Sequence, residues 1–173
     1  MGYQEIMDEY NKKLKACSGK SVDELLAIAN GNDLDFLFAI EMAIQQKSDR
    51  VGDQNLSKEE RIVLAIEALE REVNNGGYSQ FFTNSSGEYA PIIVDSLLCI
   101  GCPETAKITK QAIDTLGTQD LSPETLESIF ESENEARDGK LNECDQMYYE
   151  AGVENIGGKL IDFVKANKNV IQP

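Results

Sequence analysis

The sequence contains no histidine and no tryptophan, only four prolines, and about half as many bases as acids. Without an imidazole, histidine metal sites and nucleophile systems built on a histidine base are excluded, as is the commonest general base near neutral pH. An enzyme on this chain would have to work with carboxylates, tyrosines, lysines or thiols. No run approaches the ~18 consecutive apolar residues that read as a membrane span. Met1 to Ile6 lack the basic-then-apolar pattern of a secretory signal. Cysteine is also sparse: Cys17, Cys99, Cys102 and Cys144 stand in a chain too large to need disulfide staples. The expectation is a cytoplasmic protein with reduced thiols.

What is present is acid. Against 16 Lys+Arg stand 31 Asp+Glu, a net charge of −15. Direct binding to nucleic acid or to an anionic membrane would be repulsive, so the balance favours a basic partner, a cation or simple solubility. With 173 residues, 41% of them apolar, the chain can bury a core of its own, and the expectation is a single domain over residues 1–173.

The periodicity is helical almost throughout and predicts an all-α fold of roughly eight to nine helices. A first helix fits residues 4–16, with Ile6, Tyr10 and Leu14 on one face. Ser21-Val22-Asp23-Glu24 and Ser57-Lys58-Glu59-Glu60 are capping boxes that open helices to about Asn30 and Val73. Between them a helix from about Leu34 to Lys47 is apolar around most of its first turns, followed by a loop over Asp49 to Leu56. Asn74-Asn75-Gly76-Gly77 closes the helix before it, and Tyr78, Phe81 and Phe82 fall at the spacing of a short aromatic-faced helix. Further helices are expected at about 88–100, 104–116, 123–131, 141–151 and 154–166. Ser122-Pro123 caps the third of these. Glu133 to Gly139 has almost no apolar content and reads as a loop or exposed turn.

Charge is uneven along the chain. From Thr118 to Gly152 ten acids face two bases, −8 in 35 residues, whereas the other 138 residues carry 21 acids and 14 bases. At 100° per residue Glu124, Glu127 and Glu131 fall within about 60° of one another, opposite Leu126, Ile129 and Phe130. Their spacing, about 5–6 Å, resembles that of neighbouring phosphates on a nucleic-acid strand. Like charges so placed destabilise a helix by about 0.2–0.5 kcal/mol per pair, although many acidic faces are merely solvated. The candidate partner-binding carboxylates are Asp120, Glu124, Glu127, Glu131, Glu133, Glu135, Asp138, Glu143, Asp145 and Glu150.

Other chemistry reads weakly. In Cys99-Ile100-Gly101-Cys102 the first thiol ends a helix, where the dipole opposes thiolate formation, so packing is the expected role. Asp49 to Glu60 has the length of a calcium loop but carries Val51 and Gln54 where that loop needs an acid and a glycine. No phosphate-binding glycine loop is present, because Asn75-Gly76-Gly77-Tyr78 lacks both the spacing and the lysine. No cofactor and no metal are expected.

One stretch is more specific than composition. Leu69 to Gly87, with Glu72-Val73-Asn74-Asn75-Gly76-Gly77-Tyr78 followed by Gln80-Phe81-Phe82 and Asn84-Ser85-Ser86-Gly87, resembles the signature of a family of small acidic helical bacterial proteins. That family was first filed as a domain of unknown function and includes a DNA mimic that blocks a transcription factor. The likeness extends over roughly Ile62 to Ala112. It implies an all-helical fold and supplies no catalytic residue. Turn and cap chemistry accounts for most of the signature, with Gln80, Asn84 and Ser85 able to satisfy helix-end backbone groups. Together with the acidity, it implies a non-enzymatic DNA mimic whose partner is a helix-turn-helix transcription factor, with no direct contact to nucleic acid or membrane. A chain of this length has a radius of gyration of about 16 Å. Paired recognition helices stand about 34 Å apart, so a homodimer is compatible with such a partner. The alternatives from other classes are a carboxylate-based metal protein or enzyme, and an acidic immunity-type protein whose partner does not bind DNA.

Overall fold

A computed structural model describes residues 2–150 and 154–173, and within its first helix the side chains of Tyr3, Gln4, Ile6, Glu9 and Tyr10 are not described. The described residues hold nine α-helices and no strand. Their contacts cluster in two compact units, residues 1–64 with 160–173 and residues 65–159.

The first unit contains α1 (Tyr3–Cys17), α2 (Val22–Ala29), α3 (Asp33–Val51) and the opening turns of α4 (Lys58–Thr83). Its core is α3, whose Phe36, Leu37, Ala39, Ile40, Ala43 and Ile44 are buried and which packs against α1 and α2. Both capping boxes form. Ser21 and Glu24 exchange backbone hydrogen bonds at 3.3 and 2.9 Å, and Ser57 and Glu60 do so at 3.1 and 2.8 Å. Glu60 has a second task. Fully buried, it also receives Lys47 Nζ at 2.8 Å and the Gln172 N–H at 2.9 Å, tying the C-terminal segment down beside buried Ile171. The expected loop over Asp49 to Leu56 is shorter than predicted. Helix α3 runs on to Val51, and a 3-10 turn, Asp53–Asn55, follows Gly52. The expected face of Ile6, Tyr10 and Leu14 lies largely outside the described side chains.

The second unit holds the rest of α4, then α5 (Ile93–Cys99), α6 (Pro103–Thr115), α7 (Pro123–Phe130), α8 (Glu135–Glu150) and the start of α9 (Ile156–Ala166). Helix α4 breaks where the glycines predict. Gly76 leaves helical geometry and Gly77 takes φ +77°, after which the chain resumes as a helix through Thr83. The resumed turn buries Tyr78, Phe81 and Phe82 completely or nearly so. Two boundaries differ from the sequence reading. The helix expected from Glu88 begins only at Ile93, because Ser85–Tyr89 form a 3-10 turn and Pro91 has no N–H to extend an α-helical ladder. The stretch Glu133 to Gly139 is not a loop throughout: α8 starts at Glu135, with the Arg137 N–H donating to Asn134 Oδ1 at 3.0 Å. The expected end of that helix at Ala151 lies outside the described residues.

Candidate functional site

Ser122 caps α7 by accepting the Thr125 N–H, and Pro123 supplies a first-turn residue that has no N–H to satisfy. The inward face follows the apolar period. Leu126 is 1% exposed, Ile129 and Phe130 are half-buried, and the Phe130 ring stacks on Phe82 at 6.3 Å. The outward face carries Glu124, Glu127 and Glu131, all exposed. Glu133 stands exposed in the connection to α8, and Glu135 is exposed at the start of that helix. On α8, Glu143 and Glu150 fall within about 20° of each other on the helical wheel, opposite the buried Arg137, Leu141, Cys144 and Tyr148. Among the described residues none of Glu124, Glu127, Glu131, Glu133, Glu135, Glu143 and Glu150 has an ion-pair partner.

Three of the ten candidates are engaged with the fold. Asp120 accepts the Ser122 N–H at 3.0 Å and the Thr125 hydroxyl at 2.6 Å. These bonds hold its carboxyl below the usual aspartate range while leaving it exposed. Asp138 pairs with Arg137 Nε at 2.8 Å and is half-exposed. Asp145 turns inward, where one carboxylate oxygen accepts the Tyr78 N–H at 2.7 Å. Its surroundings are partly apolar, and burial pushes its carboxyl up despite that bond.

Arg137 explains why the acidic stretch keeps its charge. It is one of only two bases in that stretch, yet it is 8% exposed. Its guanidinium lies 4.5 Å from the Phe130 ring centre and donates to the Ile129 carbonyl as well as to Asp138. The cation is used for packing and for satisfying a carbonyl at the end of α7. It therefore offsets one carboxylate of the outward surface and no more.

The signature segment is occupied by its own hydrogen bonds. Buried Glu72 receives Gln80 Nε2 at 2.7 Å, Asn84 Nδ2 at 2.7 Å and Ser86 Oγ at 3.0 Å, with Arg71 Nε at 3.5 Å. Burial pushes the Glu72 carboxyl up, but these donors together outweigh it and hold the group below its ordinary range. The Tyr78 hydroxyl bonds to Thr109 at 2.8 Å. Gly87 lets α7 close on the turn, since a Cβ there would stand 2.7 Å from the Phe82 carbonyl oxygen and 3.1 Å from Leu126. Of this network the sequence reading anticipated Gln80, Asn84 and Ser85 as backbone caps. The hub is instead a carboxylate, Glu72, and Ser86 rather than Ser85 reaches it.

The family model described as DMP19-like protein matches residues 54–167, more than half of the chain. The chain belongs to the DMP19-like family. The matched residues include both the Glu72 network and the acidic surface of α7 and α8. No curated protein matches the DMP19-like chain significantly. Its Cys102 is buried at the N-terminal end of α6, and burial pushes the thiol up to about 11, while Cys99 is exposed at the end of α5. Among the described residues no three His, Cys, Asp or Glu side chains gather as a metal site, and no helix is long and apolar enough to cross a membrane.

Proposed function

We propose that this DMP19-like protein is a non-enzymatic DNA mimic that occupies the DNA-binding surface of a basic transcription regulator. The supporting observation is the outward surface of α7 and the connection to α8. Glu124, Glu127, Glu131, Glu133 and Glu135 are exposed there with no ion-pair partner among the described residues, and Arg137, one of the two bases of the stretch, is turned inward. The mechanism is competition. Carboxylates stand where phosphates would, and meet the Lys and Arg side chains that fix a regulator on the sugar–phosphate backbone. Imitating charge spacing can suffice because backbone contacts supply most non-specific affinity. Asp120 and Asp138 stand on either side of these acids in the sequence, and α8 carries two further exposed acids, Glu143 and Glu150. Asp145 belongs to the fold rather than to the surface.

The test is affinity capture from the native cell extract, followed by elution with duplex DNA. A captured regulator that duplex DNA displaces, and whose affinity falls steeply with ionic strength, supports the reading. Replacing Glu124, Glu127 and Glu131 together by Gln should weaken that binding at least tenfold while leaving the helical circular-dichroism signal intact. A partner that holds on in excess DNA, or binds the triple variant equally well, would place the interaction elsewhere.

A further inference from the structure

The second unit contains a cavity of about 290 Å³ that lies apart from the α7 surface and that the DNA-mimic reading leaves unused. Its walls come from Glu70 and Asn74 on α4, Thr105 on α6, Tyr148 and Tyr149 on α8, and the run from Glu154 to Gly157 that opens α9. The volume is at the lower end of small-ligand sites.

Around Glu70 most side-chain protons of this cavity are already committed. The Tyr148 hydroxyl donates to Glu70, the Tyr149 hydroxyl to the Val73 carbonyl at 2.6 Å, and the Thr105 hydroxyl to Glu154 at 2.7 Å. The Asn74 amide donates to the Glu70 carbonyl at 2.7 Å. The hydroxyl protons are thus committed within the protein and leave only lone pairs for a guest, while Asn74 keeps one amide N–H. The carboxylates add acceptors of their own. Glu154 is engaged by the N–H groups opening α6 and has Lys159 Nζ 4.0 Å away. Glu70 has only the Tyr148 hydroxyl among its described partners, with no cation in ion-pair range among the described residues. Burial pushes its carboxyl up, by more than the Tyr148 hydrogen bond draws it down. The group complementary to the Glu70 end of the cavity, a carboxylate without a cation beside hydroxyl lone pairs, is a hydrogen-bond donor with positive charge, and ammonium and guanidinium groups have that character.

We propose that this cavity is a binding site for an organic cation, an alkylammonium or guanidinium group, held by Glu70 with Tyr148, Tyr149 and Asn74 around it. The same chemistry reaches a protein in two ways, as a free small molecule or as a lysine or arginine side chain. The probes are n-butylammonium, methylguanidinium and a short, flexible, net-neutral peptide with one central arginine. They are titrated into the full chain at pH 7 and followed by amide chemical shifts, with n-butanol as the uncharged control. Saturable shifts centred on Glu70, Asn74, Thr105 and Tyr148 are expected for at least one cation and not for butanol.

Glu70→Gln keeps an acceptor for the Tyr148 hydroxyl but removes the charge, and should weaken cation binding about tenfold or more. Tyr149→Phe, which removes one exposed hydroxyl, should weaken it severalfold and serves as the second variant if Glu70→Gln perturbs the fold. Response to the free cations alone assigns a small-molecule ligand, and response to the peptide as well assigns a side chain of a partner. No saturable response to any cation, equal response to butanol, or unchanged affinity in both variants would overturn the site. So would loss of binding in the Glu124, Glu127 and Glu131 to Gln variant, which would reveal diffuse attraction to the acidic surface. That variant also separates this proposal from the DNA-mimic reading, because it should weaken regulator binding while changing no residue of the cavity.

Discussion

Two acidic regions of this chain, the Glu72 network and the outer face of α7, use the same functional group in opposite ways. Glu72 is surrounded by three hydrogen-bond donors and an arginine. Glu124, Glu127 and Glu131 face solvent with no ion-pair partner among the described residues. A buried carboxylate survives only when its lone pairs are met, so the donors near Glu72 are part of folding itself. An exposed carboxylate needs no partner, but placing several side by side costs repulsion that the fold does not recover. The contrast separates acid that holds the molecule together from acid displayed to others.

The largest expected effect lies at the buried end of that comparison. Glu72→Ala strands the side-chain amides of Gln80 and Asn84 and the Ser86 hydroxyl, and should cost about 3 kcal/mol, read as a lowered denaturant midpoint. The pH dependence follows from the direction of the Glu72 shift. Its carboxyl is held lower in the folded than in the unfolded chain, so its stabilisation is complete above the ordinary glutamate value of about 4.3. It disappears as pH falls through the folded value. Wild type should therefore lose stability on acidification more steeply than Glu72→Gln. Parallel curves would mean that the donors do not favour the charged form.

Next in size is the break in α4. A Cβ on Gly77 would lie 2.2 Å from Asp145 Oδ2, at a φ of +77° that side chains rarely adopt. Gly77→Ala should cost about 2 kcal/mol, combining backbone strain with displacement of the carboxylate that accepts the Tyr78 N–H. Asp145→Ala alone should cost about 1 kcal/mol, and Asp145→Asn less, because an amide oxygen can accept the same N–H. The two sites touch, so their effects should not add. In the Asp145→Ala background the glycine substitution should cost only the strain. Full additivity in that double-mutant cycle would show that Asp145 does not cap the resumed helix.

These residues also show which features could be read from sequence. Caps were legible because their partners lie three residues apart: Ser21 with Glu24, Ser57 with Glu60, and Ser122, marked by the proline after it, with Thr125. The break at Gly76 and Gly77 was legible for the same local reason, as was the outward placement of Glu124, Glu127 and Glu131 opposite Leu126. The start of α8 was not, because Glu135 to Gly139 lacks an apolar period and its anchor is the charged side chain of Arg137, packed on Phe130. Asp145 looked like any other acid until the fold brought it to Tyr78, 67 residues away. Glu60 was visible as a cap, but its bond to Gln172 spans 112 residues and leaves no local trace. The carboxylate cavity was equally hidden, since its walls come from α4, α6, α8 and the approach to α9. Local hydrogen bonding is written in short spacings, and long-range acceptance by a carboxylate is not.

The smallest effect on stability belongs to the displayed face, and its sign is the informative part. Replacing Glu124, Glu127 and Glu131 by Gln removes repulsion between i, i+3 and i, i+4 neighbours, worth about 0.2–0.5 kcal/mol per pair. It also removes a negative charge from the C-terminal end of α7, where Glu131 opposes the helix dipole, and a favourable one from its first turn at Glu124. The two dipole terms nearly cancel, leaving a net gain of about 0.5 kcal/mol at low salt. Raising the salt to about 0.5 M screens the repulsion in wild type, because the Debye length then falls to the spacing of the carboxylates, and the advantage of the variant should vanish. A variant less stable than wild type at every salt concentration would mean that these carboxylates have partners within the fold. They would then belong with Glu72 rather than opposite it, and the case for a phosphate-like surface on α7 would fall with them.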